Sequence, residues 1–162
     1  MSKVKDGIQY KTYWLIRKYA NDADFARGEA FEEVPIDGNM LLNAGITALL
    51  TLGIGGSETA YNNANARIGV GDSSAAESAS QTALQAATNK LLKAMSATYP
   101  QVAAQSFTFR AAFTGAEANF AWQEFVIDNG AGAAKTLNRK VSNQGTKTSG
   151  QTWTLDVVIT LS

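Results

Sequence analysis

The 162-residue sequence contains no cysteine and no histidine. Without thiols there are no disulfides and no cysteine nucleophile, so stability must come from packing or assembly. Without imidazole there is no Ser-His-Asp triad. With both residue types missing, the usual ligands of structural zinc and iron–sulfur centres are gone. Charge is scarce: 17% of residues, split into 14 basic and 14 acidic groups, against about 25% in an average globular domain. A zero net charge speaks against a general nucleic-acid binder, whose phosphate contacts need a basic face. No apolar run approaches the roughly 18 residues of a membrane span. The longest, Met40 to Ile54, is interrupted by Asn43, Thr47, Thr51 and two glycines. The opening Met-Ser-Lys has no apolar signal-peptide core, so synthesis in the cytoplasm is expected.

Small and uncharged polar residues fill the space: 27 alanines, 15 threonines, 14 glycines and 11 asparagines. Such a surface is decorated with Thr, Ser, Asn and Gln, or is covered by partners. One domain is expected at this length. Charge is uneven along it, because the first 40 residues hold 6 basic and 7 acidic groups. Residues 1–36 therefore read as a charged N-terminal arm or β-hairpin, and residues 37–162 as a β-rich domain, within one compact unit.

Period-2 patterning dominates. Tyr10 to Tyr19 is aromatic and β-branched and reads as a strand, with Tyr13, Leu15 and Arg17 on one face and Thr12, Trp14 and Ile16 on the other. Asn21-Asp22 reads as a turn, and Phe25 to Val34 as a returning strand with Gly28 as a bulge or bend. Asp37 or Asn39 is placed to cap one α-helix over about 39–52, ended by Gly53 in the left-handed conformation. Gly45 within that helix suits close packing on a sheet. Ala66 to Val70 and Leu91 to Ala97 read as strands, and Gly71 to Ser80 as a small-residue loop. One helical turn is expected in Gln81 to Asn89. Phe107 to Phe113, Phe120 to Asp128, Thr136 to Ser142 and Thr152 to Leu161 are further strands, with Gly130-Ala131-Gly132 as a turn. The regular apolar face of Trp153, Leu155, Val157, Ile159 and Leu161 demands a partner sheet. The expected fold is mainly β: an antiparallel β-sandwich or barrel-like domain.

Candidate chemistry is sparse. Gly53-Ile54-Gly55-Gly56 follows the helix rather than opening it. Gly69-Val70-Gly71-Asp72-Ser73-Ser74 lacks the Gly-Lys-Ser/Thr ending of a phosphate loop; it reads as a turn with positive-φ glycines, capped by Asp72 or Ser73. Glu117, Glu124 and Asp128 are the best carboxylates for a glycosidase pair. Glu124 and Asp128 share strand parity with Trp122. The simpler expectation is a structural ion pair with Arg110 or Arg139 on flanking strands. Asp22 with Asp24, or Asp72 with Glu77, offers oxygen ligands for calcium, without an EF-hand pattern; turn capping is the simpler role. Tyr10, Tyr13, Trp14 and Tyr19 could stack on bases, but basic groups do not dominate around them, and packing is expected. No catalytic, cofactor or metal residue is assigned, and no enzyme activity is expected.

The string from Ile68 to Asn89, IGVGDSSAAESASQTALQAATN, resembles a family of small virion structural proteins from tailed bacteriophages. The likeness continues in Phe107 to Ala111, Ala118 to Phe125, Leu137 to Lys140, Gly145 to Thr148 and the Trp153 to Leu161 strand, and upstream in Asn39 to Ile46. It covers roughly residues 38–162. One departure is Val126, where the family pattern leads one to expect glycine, which puts a bulge there in doubt. The resemblance implies a virion protein without cofactors. The first placement is a head decoration, or cement, protein bound outside the capsid shell, with the major capsid protein and other copies of itself, as a trimer, for partners. It implies neither a specific nucleic acid nor a membrane. The second placement is a minor tail or host-adhesion protein, and a carbohydrate-binding module is a third possibility.

Overall fold

A computed structural model of the chain describes residue 7, residues 9–130, residue 132 and residues 134–162. The expected arm residues 1–6 and 8, and Ala131 of the expected turn, lie outside the described residues. In chain order the strands are β1 (Tyr10–Tyr19), β2 (Glu32–Asp37), β3 (Met40–Leu41), β4 (Arg67–Gly71), β5 (Lys90–Ala94), β6 (Gln101–Ala103), β7 (Ser106–Phe113), β8 (Glu124–Asp128), β9 (Asn138–Val141) and β10 (Thr152–Leu161). Two helices join them, α1 (Asp22–Arg27) after β1 and α2 (Asn43–Gly53) after β3.

The protein is mainly β, with two antiparallel five-stranded sheets in a sandwich-like arrangement. The first has the order β2-β1-β10-β7-β6 and the second β3-β9-β8-β4-β5. β1 and β10 pair along their whole length, from Tyr10 opposite Leu161 to Tyr19 opposite Thr152. Because side chains alternate across a strand, this register puts Trp14, Ile16, Trp153, Leu155, Val157 and Ile159 on one buried face. Phe109, Ala111 and Phe113 of β7 extend that face, and Ile68, Val70, Phe125 and Ile127 of the second sheet meet it. Trp122 sits at the centre of the core. Its ring lies 4.9 Å from those of Phe113 and Trp153 and 6.2 Å from that of Phe125, at edge-on angles that suit aromatic quadrupoles.

Of hairpin and arm, residues 10–37 form the hairpin. β1 is inserted between β2 and β10, so Trp14 and Ile16 belong to the common core. The Asn21-Asp22 turn begins the short helix α1. Asn21 caps it by accepting a 2.9 Å bond from the Asp24 amide, which is the same side-chain chemistry that marks turns. Gly28, expected as a strand bulge, ends α1 at φ 73°. The returning strand starts only at Glu32 and runs on to Asp37. The later helix starts at Asn43 instead of 39, because Met40 and Leu41 pair with Arg139 and Asn138 of β9. Neither Asp37 nor Asn39 caps it: the N-cap is Leu42, with no side-chain bond. The left-handed residue at its end is Gly55, at φ 74°, and not Gly53. Gly45 does sit against the sheet, since a Cβ there would stand 2.6 Å from the Leu137 carbonyl oxygen and 2.8 Å from that of Thr136. Residues 81–89 contain no helical turn, and β8 is regular only from Glu124 onward. Val126 lies in register opposite both Gly69 and Arg139, without a bulge.

Candidate functional site

Glu117, Glu124 and Asp128 do not converge. Glu124 and Asp128 stand at the two ends of β8 on one face. At a rise of about 3.3 Å per residue, four residues separate them by about 13 Å. Glycoside hydrolysis needs its carboxyl groups about 5–9.5 Å apart. Each carboxylate is instead held by the scaffold. Asp128 takes a bidentate pair from Arg67, its cross-strand neighbour, at 2.9 and 2.7 Å. Glu117 receives Lys93 Nζ at 2.5 Å and the Thr114 amide at 2.9 Å. Burial works against the Glu117 carboxylate, but Lys93 and Thr114 outweigh it and hold its pKa below the ordinary value.

Glu124 anchors the segment from Asp72 to Asn89. It is 0% exposed, as is Arg139. Arg139 Nε donates to Glu124 Oε2 at 2.8 Å, while the amides of Gln85 and Ala86 donate to the same carboxylate at 2.9 and 2.7 Å. Arg139 Nη1 donates to the Ala75 carbonyl at 2.9 Å and to Gln81 Oε1 at 3.0 Å. Residues 72–89 thus form a strap across the outer face of the second sheet. Its ends meet through the Asp72 amide and the Asn89 carbonyl at 3.1 Å. The Val141 amide donates to Glu77 Oε1 at 2.6 Å, and Thr136 Oγ1 to the Thr82 carbonyl at 2.5 Å.

The glycines of Gly69-Val70-Gly71 lie within β4 and not in a turn, and neither has positive φ. They make room under the strap. A Cβ on Gly71 would come within 2.6 Å of Glu124 Oε1, and one on Gly69 within 2.7 Å of the Val126 and Leu92 side chains. The expected pairing of Arg139 with Glu124 is present. Arg110 pairs elsewhere, with Asp156 opposite it on β10, which also takes Arg17.

The candidate calcium pairs are dispersed into capping and tethering. Asp24 is bonded within α1 to Asn21 and Arg27. Asp22 accepts from Thr152 at 2.5 Å, Asp72 from Asn89 at 2.7 Å, and Glu77 belongs to the strap. Among the described residues no group of three or more such ligands gathers. Trp14 and Tyr19 are buried and pack, whereas Tyr13 stays 40% exposed. Lys147, which sequence reasoning did not single out, is fully buried. Its Nζ donates to the carbonyls of Thr114 and Glu117 at 2.7 and 2.9 Å and to Asn119 Oδ1 at 2.8 Å, tying two loops together. Burial pushes its pKa down, against an opposing pull from Glu117.

Two surface features remain. Along α2 and its C-cap residue, Ile46, Leu50 and Ile54 recur every four residues and are 40, 68 and 88% exposed. No residue between Asp37 and Glu58 is charged, so this ridge is apolar and uncharged. The other feature is a groove of about 460 Å³ where β2 leaves β1, lined by Lys11, Thr12, Tyr13, Asp37, Asn39 and their neighbours. Among the described residues, Asp37 is the one carboxylate that makes neither a hydrogen bond nor an ion pair.

Comparison of the chain with family models, curated proteins and solved structures returns no match.

Proposed function

We propose that this chain is a structural protein of a tailed-bacteriophage particle, and specifically a capsid decoration protein that binds the outer shell and stabilises it by contact. The ridge on α2 is the observation that carries this reading. Three exposed aliphatic side chains stand in line on a stretch without charge. Contiguous exposed apolar surface of this kind marks protein–protein contact. A shell protein can cover it without stranding a buried charge, whose desolvation would weaken binding. The major capsid protein is the occupant of the ridge, and further copies of this chain, closed into a trimer, complete the contacts.

The strings that resemble virion proteins support the same reading through what they build. Ile68 to Asn89 supplies β4 and the strap, and Ala118 to Phe125 supplies Trp122 and Glu124, so these residues shape a scaffold. Binding to the assembled shell, and not to free subunits, stabilises the shell by mass action. Near-neutral charge limits repulsion between adjacent copies. In this role a purified particle carries the protein in numbers comparable to its capsomers, measured by quantitative gel analysis of virions. A few copies per particle would instead place it in the tail, and absence from particles would refute both. Leu50→Asp with Ile54→Asp should abolish particle binding while the fold survives, because both side chains face solvent. Unchanged binding would remove the ridge from the contact. A second reading, a minor tail or host-adhesion protein, is favoured by the groove beside Asp37.

A further inference from the structure

The geometry points to a cleft on the outer face of the first sheet as a docking site for an acidic segment of a partner protein. This inference goes beyond the virion reading and does not depend on it, because it uses no residue of the α2 ridge. Arg17 of β1, Thr154 of β10 and Ala112 of β7 stand side by side in one cross-strand row. They alternate with the core residues Ile16, Leu155 and Ala111, so their side chains point outward. Thr154 and Ala112 are short and form a floor between two walls. One wall is the Phe25 ring of α1, set edge-on against Tyr19 at 5.2 Å. The other is the segment after β5, which lays the Tyr99 ring over the Arg110 guanidinium at 4.7 Å. The cleft between them has a volume of about 470 Å³, within the ordinary range for ligand sites.

The second wall is held in a costly conformation. Thr98 is β-branched and has φ 71°, in the left-handed region that such residues rarely adopt. Asn63 clamps the segment, because its Nδ2 donates to the Ser96 carbonyl at 3.0 Å and to the Tyr99 carbonyl at 2.6 Å. The Tyr99 amide closes the turn on the Ser96 carbonyl at 3.1 Å. Backbone strain of this kind persists only where the surroundings over-determine it, and it clusters at ligand clamps. Here it fixes the Tyr99 ring before a partner arrives, which spares the cost of ordering it on binding.

The charge on the cleft selects the occupant. Arg110 gives Nε and Nη2 to Asp156 at 2.6 and 2.5 Å, and Arg17 gives Nη1 to the same carboxylate at 2.8 Å. One carboxylate with a 9% exposed side chain thus sits beneath two arginines whose side chains are 36 and 28% exposed. Glu33 takes Arg17 Nε from the β2 side of β1, away from the cleft. Among the described residues no carboxylate lines the cleft, and nothing accepts from Arg110 Nη1 or Arg17 Nη2. The free guanidinium edges match a carboxylate from outside. The Phe25, Tyr19 and Tyr99 rings suit an apolar side chain next to it, and tyrosine and arginine are enriched where protein contacts carry most energy. A nucleic acid would need a row of cations to follow its phosphates, and the two arginines are the cleft's only charged lining.

The test presents the full chain to an array of short peptides in which Asp or Glu stands next to Phe, Leu or Ile. Each peptide is paired with its Asn or Gln counterpart, and oligo(dT) and inorganic phosphate are further probes. At least one acidic peptide should bind, more weakly as salt rises. Its amide counterpart should bind about tenfold less, the effect of losing one charge-assisted hydrogen bond. Amide shifts on titration should centre on Arg17, Phe25, Ala97, Tyr99 and Arg110. Arg110→Lys keeps the charge and loses the fork, and Phe25→Ala removes a ring that is partly exposed. Each should weaken the peptide about tenfold with the melting temperature unchanged. The proposal is overturned if no acidic peptide binds, if the amide counterparts bind equally, or if shifts lie elsewhere. Preferential capture of oligo(dT), or phosphate bound as tightly as any peptide, would overturn it as well. Should Arg110→Lys fold poorly, Phe25→Ala and the shift map of the unaltered protein decide.

Discussion

Replacing Arg139 with methionine would leave the Glu124 carboxylate buried without its cation. Both side chains are 0% exposed, and Arg139 also holds the strap through Ala75 and Gln81. Removing one partner of a buried pair typically costs about 3–5 kcal/mol, because the remaining charge is left uncompensated. That is a large share of the roughly 5–15 kcal/mol by which a domain is stable. For a chain of this size it corresponds to a fall of about 6–20 °C in Tm. The amides of Gln85 and Ala86 still bond to Glu124, so the protein has a second way to relieve the charge: the strap lifts and water enters. Urea unfolding followed by tryptophan fluorescence measures the global loss. Hydrogen exchange at Gln85 and Ala86 measures the lifting. The double variant Glu124→Leu with Arg139→Met should recover only part of the loss, because the Gln85 and Ala86 amides are left without their acceptor, and a double-mutant cycle isolates the pair. Arg139→Met within about 0.5 kcal/mol of the parent, the range of ordinary surface substitutions, with exchange at Gln85 and Ala86 unchanged, would refute the anchoring role.

Three other perturbations probe different parts of the scaffold. Gly45→Ala should destabilise the protein by more than the roughly 1 kcal/mol that alanine's helix propensity adds, since the new methyl group would press on the Leu137 and Thr136 backbone; thermal melting gives the sign. Trp122→Ala removes the ring that meets Phe113, Phe125 and Trp153 and should cost about 3–5 kcal/mol in denaturant unfolding. Glu117 has a folded pKa below its unfolded value, so its contribution is complete above the ordinary carboxylate range and is lost as pH falls through the folded pKa. Lys93→Ala removes the main partner that lowers it, so acid titration of stability should become shallower, and an unchanged acid limb would contradict the assignment.

The longest strands were legible in the residues themselves. β10, β1 and β7 alternate apolar and polar side chains, and the three long strands of the first sheet follow from that period. The Glu124–Arg139 pair was also within reach, because both residues sit on neighbouring strands with outward parity. Arg110 was not assignable to Asp156 in the same way, since nothing local says that β7 neighbours β10 and not β8. The strap was legible only as small-residue loop chemistry. Its order comes from contacts with Glu124, Arg139 and Thr136, all more than 35 residues away along the chain. α1 was read as a turn because asparagine caps and asparagine turns use the same side-chain bond. The groove left no trace in the sequence: Asp37 gains its character from lacking a partner among the described residues, which is a property of the fold.

The contact role is tested most directly by locating this protein in a cryo-electron microscopy reconstruction of the particle that carries it. As a decoration protein it should appear as symmetric density on the outside of the head shell, with the α2 ridge of Ile46, Leu50 and Ile54 facing the capsid protein. Density confined to the tail, or a shell contact made by another face with α2 in solvent, would contradict it.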